Sequence, residues 1–267
     1  MRKSLSWLYF GLIFLFLYAP IAIMIVFSFN NGSNVTVWGG FSLQNYANLL
    51  HKQKAIESLW NSLTIALLSS LGSCVLGTLA CLGLNNLKKS RGAVMNISNL
   101  PIINPEVVTG VSLMLIFVVL FSGSIGLGFH TVLIAHIVFN TPYVILNVLP
   151  RLRRMDKNLY EAALDLGCPP TQALWKVVMP ELFPAILSGF LISFTYSMDD
   201  FIISYYTGGT FQTFSVFIYN SLKKGPQDWM LALSGLLFLA VLAVLVVMNV
   251  HDVRQEKRES QKIRGTV

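Results

Sequence analysis

Six stretches of about 20 mainly apolar residues, each long enough to cross a hydrocarbon core about 30 Å thick, constrain this chain more than any other feature. They run from Trp7 to Phe29, Ser62 to Leu84, Ile102 to Phe121, Phe129 to Leu149, Leu182 to Tyr205 and Met230 to Val250. With 54% hydrophobic and 12% charged residues among 267, the composition is that of a membrane protein rather than a soluble domain. The fold class read from it is an all-α polytopic membrane protein with six transmembrane helices.

The first run follows Arg2 and Lys3, as a secretory signal does, but it is longer than the usual ~7–15 apolar residues and no A-x-A site follows it. It reads as a retained helix. With the amino terminus inside, fifteen of the 19 basic residues fall in inner segments, and only Lys52, Lys54, Lys223 and Lys224 fall outside. The expectation is a multi-pass protein of the plasma membrane with both termini cytoplasmic. The net charge of +7 then reflects topology and contact with anionic membrane lipid, and no nucleic-acid partner is expected.

Cys74, Cys81 and Cys168 show no C-x-x-C spacing, so neither a disulfide nor a metal site is expected. No Gly-x-x-x-x-Gly-Lys-Ser/Thr run occurs, so the chain carries no phosphate-cradling loop for a nucleotide. It is expected to be non-catalytic and free of cofactors, and if it moves anything uphill the energy comes from elsewhere. Ser69, Ser73, Gly77 and Cys81 recur every fourth residue and form a small-residue stripe against which another helix can pack closely. His136, Asn140 and Pro142 mark a polar, kinked stretch that suits an interhelical hydrogen bond, with substrate contact as the alternative.

The inner connection RLRRMDKNLYEAALDLGCPPTQALWKVVMPEL has its own helical pattern. Leu159, Ala162, Ala163 and Leu166 would line one face of a short helix, Gly167 would cap it, and Pro169 and Pro170 would turn the chain. A second short helix through Leu174, Val177 and Val178 would run to Pro180. Such a helix pair can lie on lipid, pack under its own bundle or dock into another protein, and periodicity does not choose.

The residues themselves resemble a known family. Glu161-Ala162-Ala163, Leu166-Gly167 and Pro180 look like the EAA loop of ATP-binding-cassette importer permeases of the type I, binding-protein-dependent class. Leu174 and Met179 depart mildly from that pattern. LYAPI, AHIVFNTPYV and above all SFTYSMDD followed by TGG look like permeases of spermidine/putrescine importers. The resemblance implies residues 1–57 as a first helix and external loop, 58–250 as a five-helix permease core, and 251–267 as a cytoplasmic tail. Within the core, the loop at about 151–180 would couple to the ATPase through Glu161, Ala162, Ala163, Gly167 and Pro180. The implied partners are a cytoplasmic ATPase dimer, a second homologous permease subunit and an extracytoplasmic polyamine-binding protein. The implied function is polyamine translocation by alternating access.

Asp199 and Asp200 are the acids that need explaining, because a carboxylate in the bilayer must meet a partner or a wet cavity. On a continuous helix, Ser193, Ser197, Asp200 and Ser204 share a narrow arc with Tyr196 at its edge, while Asp199 lies about 100° away. Asp200 is therefore expected to face the substrate path, and Asp199 to be a second ligand or a partner of a neighbouring helix. Both lie about 22–24 Å above Pro184, in the outer half of the membrane, and Glu106 sits about 9 Å from the inner side, where Pro101 and Pro105 interrupt the helix. Carboxylates for the ammonium groups and aromatic faces such as Tyr196, Tyr205 and Tyr206 suit a polyamine. An importer for another cation or amine is the neighbouring alternative. An intramembrane aspartyl protease or a passive channel would be a different class; adjacent aspartates lack the facing geometry for the first, and the EAA-like loop argues against the second.

Overall fold

The computed structural model describes residues 2–31, 37–86, 104–120, 126–225, 227, 229–236 and 238–239. The expected positions Lys88, Lys89, Arg91 and Pro101, the last span beyond residue 239, and the tail 251–267 lie outside the described residues. Among the described residues the helices follow in chain order as α1 (Arg2–Ser28), α2 (Gln44–Leu50), α3 (Gln53–Asn86), α4 (Glu106–Leu120), α5 (Phe129–Arg154), α6 (Lys157–Asp165), α7 (Pro170–Ala173), α8 (Met179–Asp199), α9 (Ile202–Thr207) and α10 (Phe214–Leu222). Residues 229–236 are also helical. Among the described residues no strand forms beyond one isolated bridge between Asn30 and Phe41. Among the described residues four helical stretches are long and apolar enough to span a membrane: Tyr9–Ser28, Gln53–Leu84, Phe129–Arg154 and Pro170–Asp199. A shorter apolar helix, Glu106–Val119, falls where a third span is expected.

The chain divides into two compact units, one of residues 1–53 and 220–267 and the other of residues 54–219. In the first unit the segment after α1 is tied down by amides. Asn45 donates to the Ser28 and Asn30 carbonyls at 3.2 and 3.1 Å, Asn30 donates to the Val37 carbonyl, and the Ser28 and Tyr46 hydroxyls lie 2.8 Å apart. These bonds satisfy backbone groups that the end of an apolar helix would otherwise leave open.

The second unit is built on α3, α5 and α8. The small-residue stripe of α3 lies along a row of α5 carbonyls: the Ser73 hydroxyl donates to Ile137 at 3.1 Å and the Cys81 thiol to Ile145 at 3.8 Å. Between them, a Cβ on Gly77 would come within 3.3 Å of the Thr141 carbonyl and 2.8 Å of Val144, so only glycine permits this approach. On its other face α5 meets α8 in antiparallel register, with His136 opposite Ser197 and Val144 against Gly189. Val144, Val148, Leu149, Leu152, Val178 and Leu182 fill the inner half of this seam. Phe117, Ala135, Phe139 and Ile203 form a second cluster where α4, α5 and α9 meet.

Two expectations about helix continuity are corrected. The second short inner helix does not stop at Pro180: α7, a π-turn over Leu174–Val178 and α8 run on as one stretch. The Met179 amide reaches back to the Leu174 carbonyl, an i→i+5 bond that lets the helix pass a proline without a donor. At the other end, the expected continuous span to Tyr205 is broken: α8 ends at Asp199, Asp200 is extended (φ −60°, ψ 128°), and α9 starts at Ile202.

Candidate functional site

The break at Asp200 brings the start of α9 back onto that residue's carboxylate. The Asp200 carboxylate accepts the backbone N–H groups of Ile203 and Ser204 at 3.2 and 2.8 Å, capping the start of α9. It also faces His136, whose Nε2 lies 3.2 Å from Oδ2. The Asp200 side chain is only 4% exposed and that of His136 is fully buried. The imidazole is gripped on both sides, with Nδ1 2.7 Å from the Ser197 hydroxyl and Nε2 3.0 Å from that of Ser204. Ser197 lies 3.1 Å from Ser69 on α3. The polar stripe of Ser193, Ser197, Asp200 and Ser204 expected on this span therefore exists, and it faces the bundle interior rather than an open path.

Asp199 is turned the other way. It is exposed, and with Leu191, Ile192, Thr195 and Tyr196 it lines a shallow recess of about 380 Å³. The Tyr196 ring, 45% exposed, stacks on Tyr143 of α5 with centroids 4.6 Å apart. Glu106 is exposed at the start of α4. Asp199 and Tyr196 thus share one recess, and the Tyr196 ring continues into a stack with Tyr143. Tyr143 went unremarked in the sequence, although it stands one helical turn beyond Phe139 in the same aromatic row and packs on it at 5.6 Å. Such a recess offers a flexible cation both charge and ring faces. Tyr205 lies elsewhere, in a cluster with Phe201, Tyr206 and Tyr219.

The inner loop takes the expected local shape. Asp156 caps α6 by accepting from the Asn158 N–H at 3.0 Å, and Gly167 ends it with φ +84°, a left-handed conformation that glycine adopts without strain. The Gly167 and Cys168 N–H groups close the turn on the Leu164 and Ala163 carbonyls. The expected apolar face is not buried as a whole, since Ala163 is buried while Leu159 is 47% exposed and Leu166 86% exposed. Trp175, on the π-turn, is 67% exposed. Glu161 and Ala162 are exposed beside them, and Pro180 lies at the start of α8. Among the described residues no cluster of His, Cys, Asp or Glu is arranged to hold a metal ion.

Residues 73–256 match the family model described as the binding-protein-dependent transport system inner membrane component. The chain belongs to this family. It is a membrane-embedded permease component of an ATP-binding-cassette importer. The permease is 36% identical over 235 residues to the putrescine transport system permease protein PotI of Escherichia coli K12, covering 85% of this chain and 83% of that one. It is 32% identical over 229 residues to the spermidine/putrescine transport system permease protein PotC of the same strain, covering 85% and 86%. In fold it matches a chain of the bacterial alginate ABC transporter solved with its pentasaccharide-bound periplasmic protein, with a TM-score of 0.66, 19% identity and 92% of each chain covered.

Proposed function

We propose that this permease is one of two pore-forming halves of a polyamine importer, that Asp199 and Tyr196 are part of the substrate path built by this chain, and that Glu106 is a second acidic station on it. The observation that carries the reading is the exposed pair of Asp199 and Tyr196 in one recess, with Tyr143 stacked on Tyr196. An ammonium group gains from a carboxylate and from a ring face, and methylenes gain from the same rings. The names of PotI and PotC point to the same substrate class. Asp200 belongs to this path as the residue that shapes it from behind.

In this reading the chain has six spans with both termini cytoplasmic, a permease core at 58–250 and a tail at 251–267. A second permease subunit completes the pore, and an extracytoplasmic binding protein delivers the polyamine. A cytoplasmic ATPase dimer binds ATP, while this chain holds no cofactor and catalyses nothing. The exposed Leu166 and Trp175 give the inner loop an apolar surface for that ATPase, with Glu161 to Pro180 transmitting its closure. Alternating access then moves the bound cation inward.

Uptake of labelled putrescine and spermidine into vesicles holding the whole importer tests the reading. Asp199→Asn should raise the half-saturating polyamine concentration about tenfold or more, the equivalent of about 1.4 kcal/mol of binding. Unlabelled putrescine and spermidine should compete while a neutral sugar does not. Unchanged uptake in Asp199→Asn, or a neutral sugar that competes, would remove the polyamine path from this surface.

A further inference from the structure

His136 touches no exposed surface, yet it stands where three helices and the break in the fifth span converge. Its Nε2 holds Asp200 and Ser204, and its Nδ1 holds Ser197, which in turn reaches Ser69 of α3. Asp200 lies between α8 and α9, so this one imidazole links α5 to both sides of the break. The direction of the neighbouring acid follows from that link. Asp199 is the last residue of α8 and stands about 100° round the helix from Asp200, so the side that Asp200 takes fixes the side of Asp199. With Asp200 held inward by His136, Asp199 falls on the exposed side of α8, in the same recess as Tyr196.

A buried carboxylate without a counter-charge or donors is costly inside a bilayer. The inward position of Asp200 therefore depends on what meets it there, namely the two N–H groups of its own chain and His136 from α5. The two N–H groups travel with the chain wherever it goes. His136 is the contact that ties the break to the rest of the bundle.

We propose that His136 is a positioning residue for the cation: by holding Asp200 inward it sets the direction of Asp199 and Tyr196 and thereby the affinity of the path for polyamine. The proposal rests on the reading that Asp199 and Tyr196 line that path. His136 touches no substrate. Its influence passes through the Asp200 carboxylate to the backbone that ends α8.

Two substitutions of similar size separate positioning from general support. A glutamine at 136 can place its amide nitrogen near the Nε2 position and still donate to Asp200, whereas an asparagine keeps a polar group beside Ser197 and falls short of Asp200. In vesicles holding the complete importer, His136→Gln should keep the half-saturating polyamine concentration within about threefold of the unaltered protein, and His136→Asn should raise it about tenfold at equal amounts of assembled transporter. Asp200→Asn, which keeps the side-chain shape and removes the carboxylate that faces His136, should behave as His136→Asn does.

A second measurement reads the recess without transport. Cys74 and Cys81 are buried, so replacing Cys168 alone and introducing Thr195→Cys places a reporter thiol in the recess. A cationic thiol reagent should label it, polyamine should protect it, and His136→Asn or Asp200→Asn should abolish the protection while His136→Gln keeps it. The proposal is overturned if the glutamine and asparagine variants match in affinity and protection, or if they change only the maximal rate. Asp199→Asn with unaltered uptake would overturn the path reading instead, and it would leave the reagent's response to His136→Asn as a separate result on positioning.

Discussion

The two ends of α8 solve opposite problems. At the inner end the chain passes Pro180 without stopping, because a π-turn supplies a longer bond, and the side chains around that turn are left uncovered: Trp175 is 67% exposed and Leu166 86%. At the outer end the helix stops with no proline or glycine to stop it, and the groups released by the break are taken up inside the bundle by Asp200 and His136. An opening that is closed by its own residues supports the fold. An apolar surface left open on a charged loop is, in the proposed reading, the place where a partner docks.

That contrast predicts where substitutions will act on stability and where on transport. The largest effect is expected for Asp200→Leu, which strands His136 and two backbone N–H groups in the interior, at a cost of about 3–5 kcal/mol. Thermal unfolding of the purified chain in detergent should drop sharply, and an unchanged midpoint would break the view of the outer end as structural. Gly77→Leu comes next, since its Cβ alone would meet Val144 and the Thr141 carbonyl, and overpacking of this kind costs about 1–3 kcal/mol. The same melting experiment reads it.

At the inner end the pattern should invert. Leu166→Ser and Trp175→Ser should leave the melting of the isolated chain within about 0.5 kcal/mol, as exposed positions do. The same changes should cut co-purification with the ATPase and uptake by the whole importer, and normal co-purification would break the comparison from the inner side. The smallest effect is expected for Arg151→Gln. It removes the pair with Glu181, whose side chains are 47% and 42% exposed, and such pairs are worth about 0–1 kcal/mol. A larger loss in the same melting experiment would show that this pair fixes the α5–α8 register.

Much of this architecture was legible in the residues, because it depends on spacing. The stripe of Ser69, Ser73, Gly77 and Cys81 announced a close helix contact, and the α3–α5 pair is built on it. Gly167 announced the turn after α6, since a left-handed residue there needs no partner elsewhere. The break at Asp200 was not legible for the opposite reason. An aspartate that caps the helix after it is a local signal, but here it stood inside a long apolar run, and the histidine that meets it lies 64 positions away. The wheel grouped Asp200 with Ser193, Ser197 and Ser204, and which neighbour that face meets depends on His136, which periodicity does not supply. Tyr143 escaped notice for a related reason, since its meaning lies in the Tyr196 ring it stacks on.

The contact between α3 and α5 has a consequence for how this chain can vary over time. Ser73, Gly77 and Cys81 rest against the Ile137, Thr141 and Ile145 carbonyls, and every amino acid carries that same oxygen. The footprint on α5 is thus made partly of backbone, with the Ile137 and Val144 side chains beside it, while the demand for small size falls on a few positions of α3. Descendants of this sequence can exchange most outward-facing residues of both helices, one hydrophobe for another, and inherit the same register.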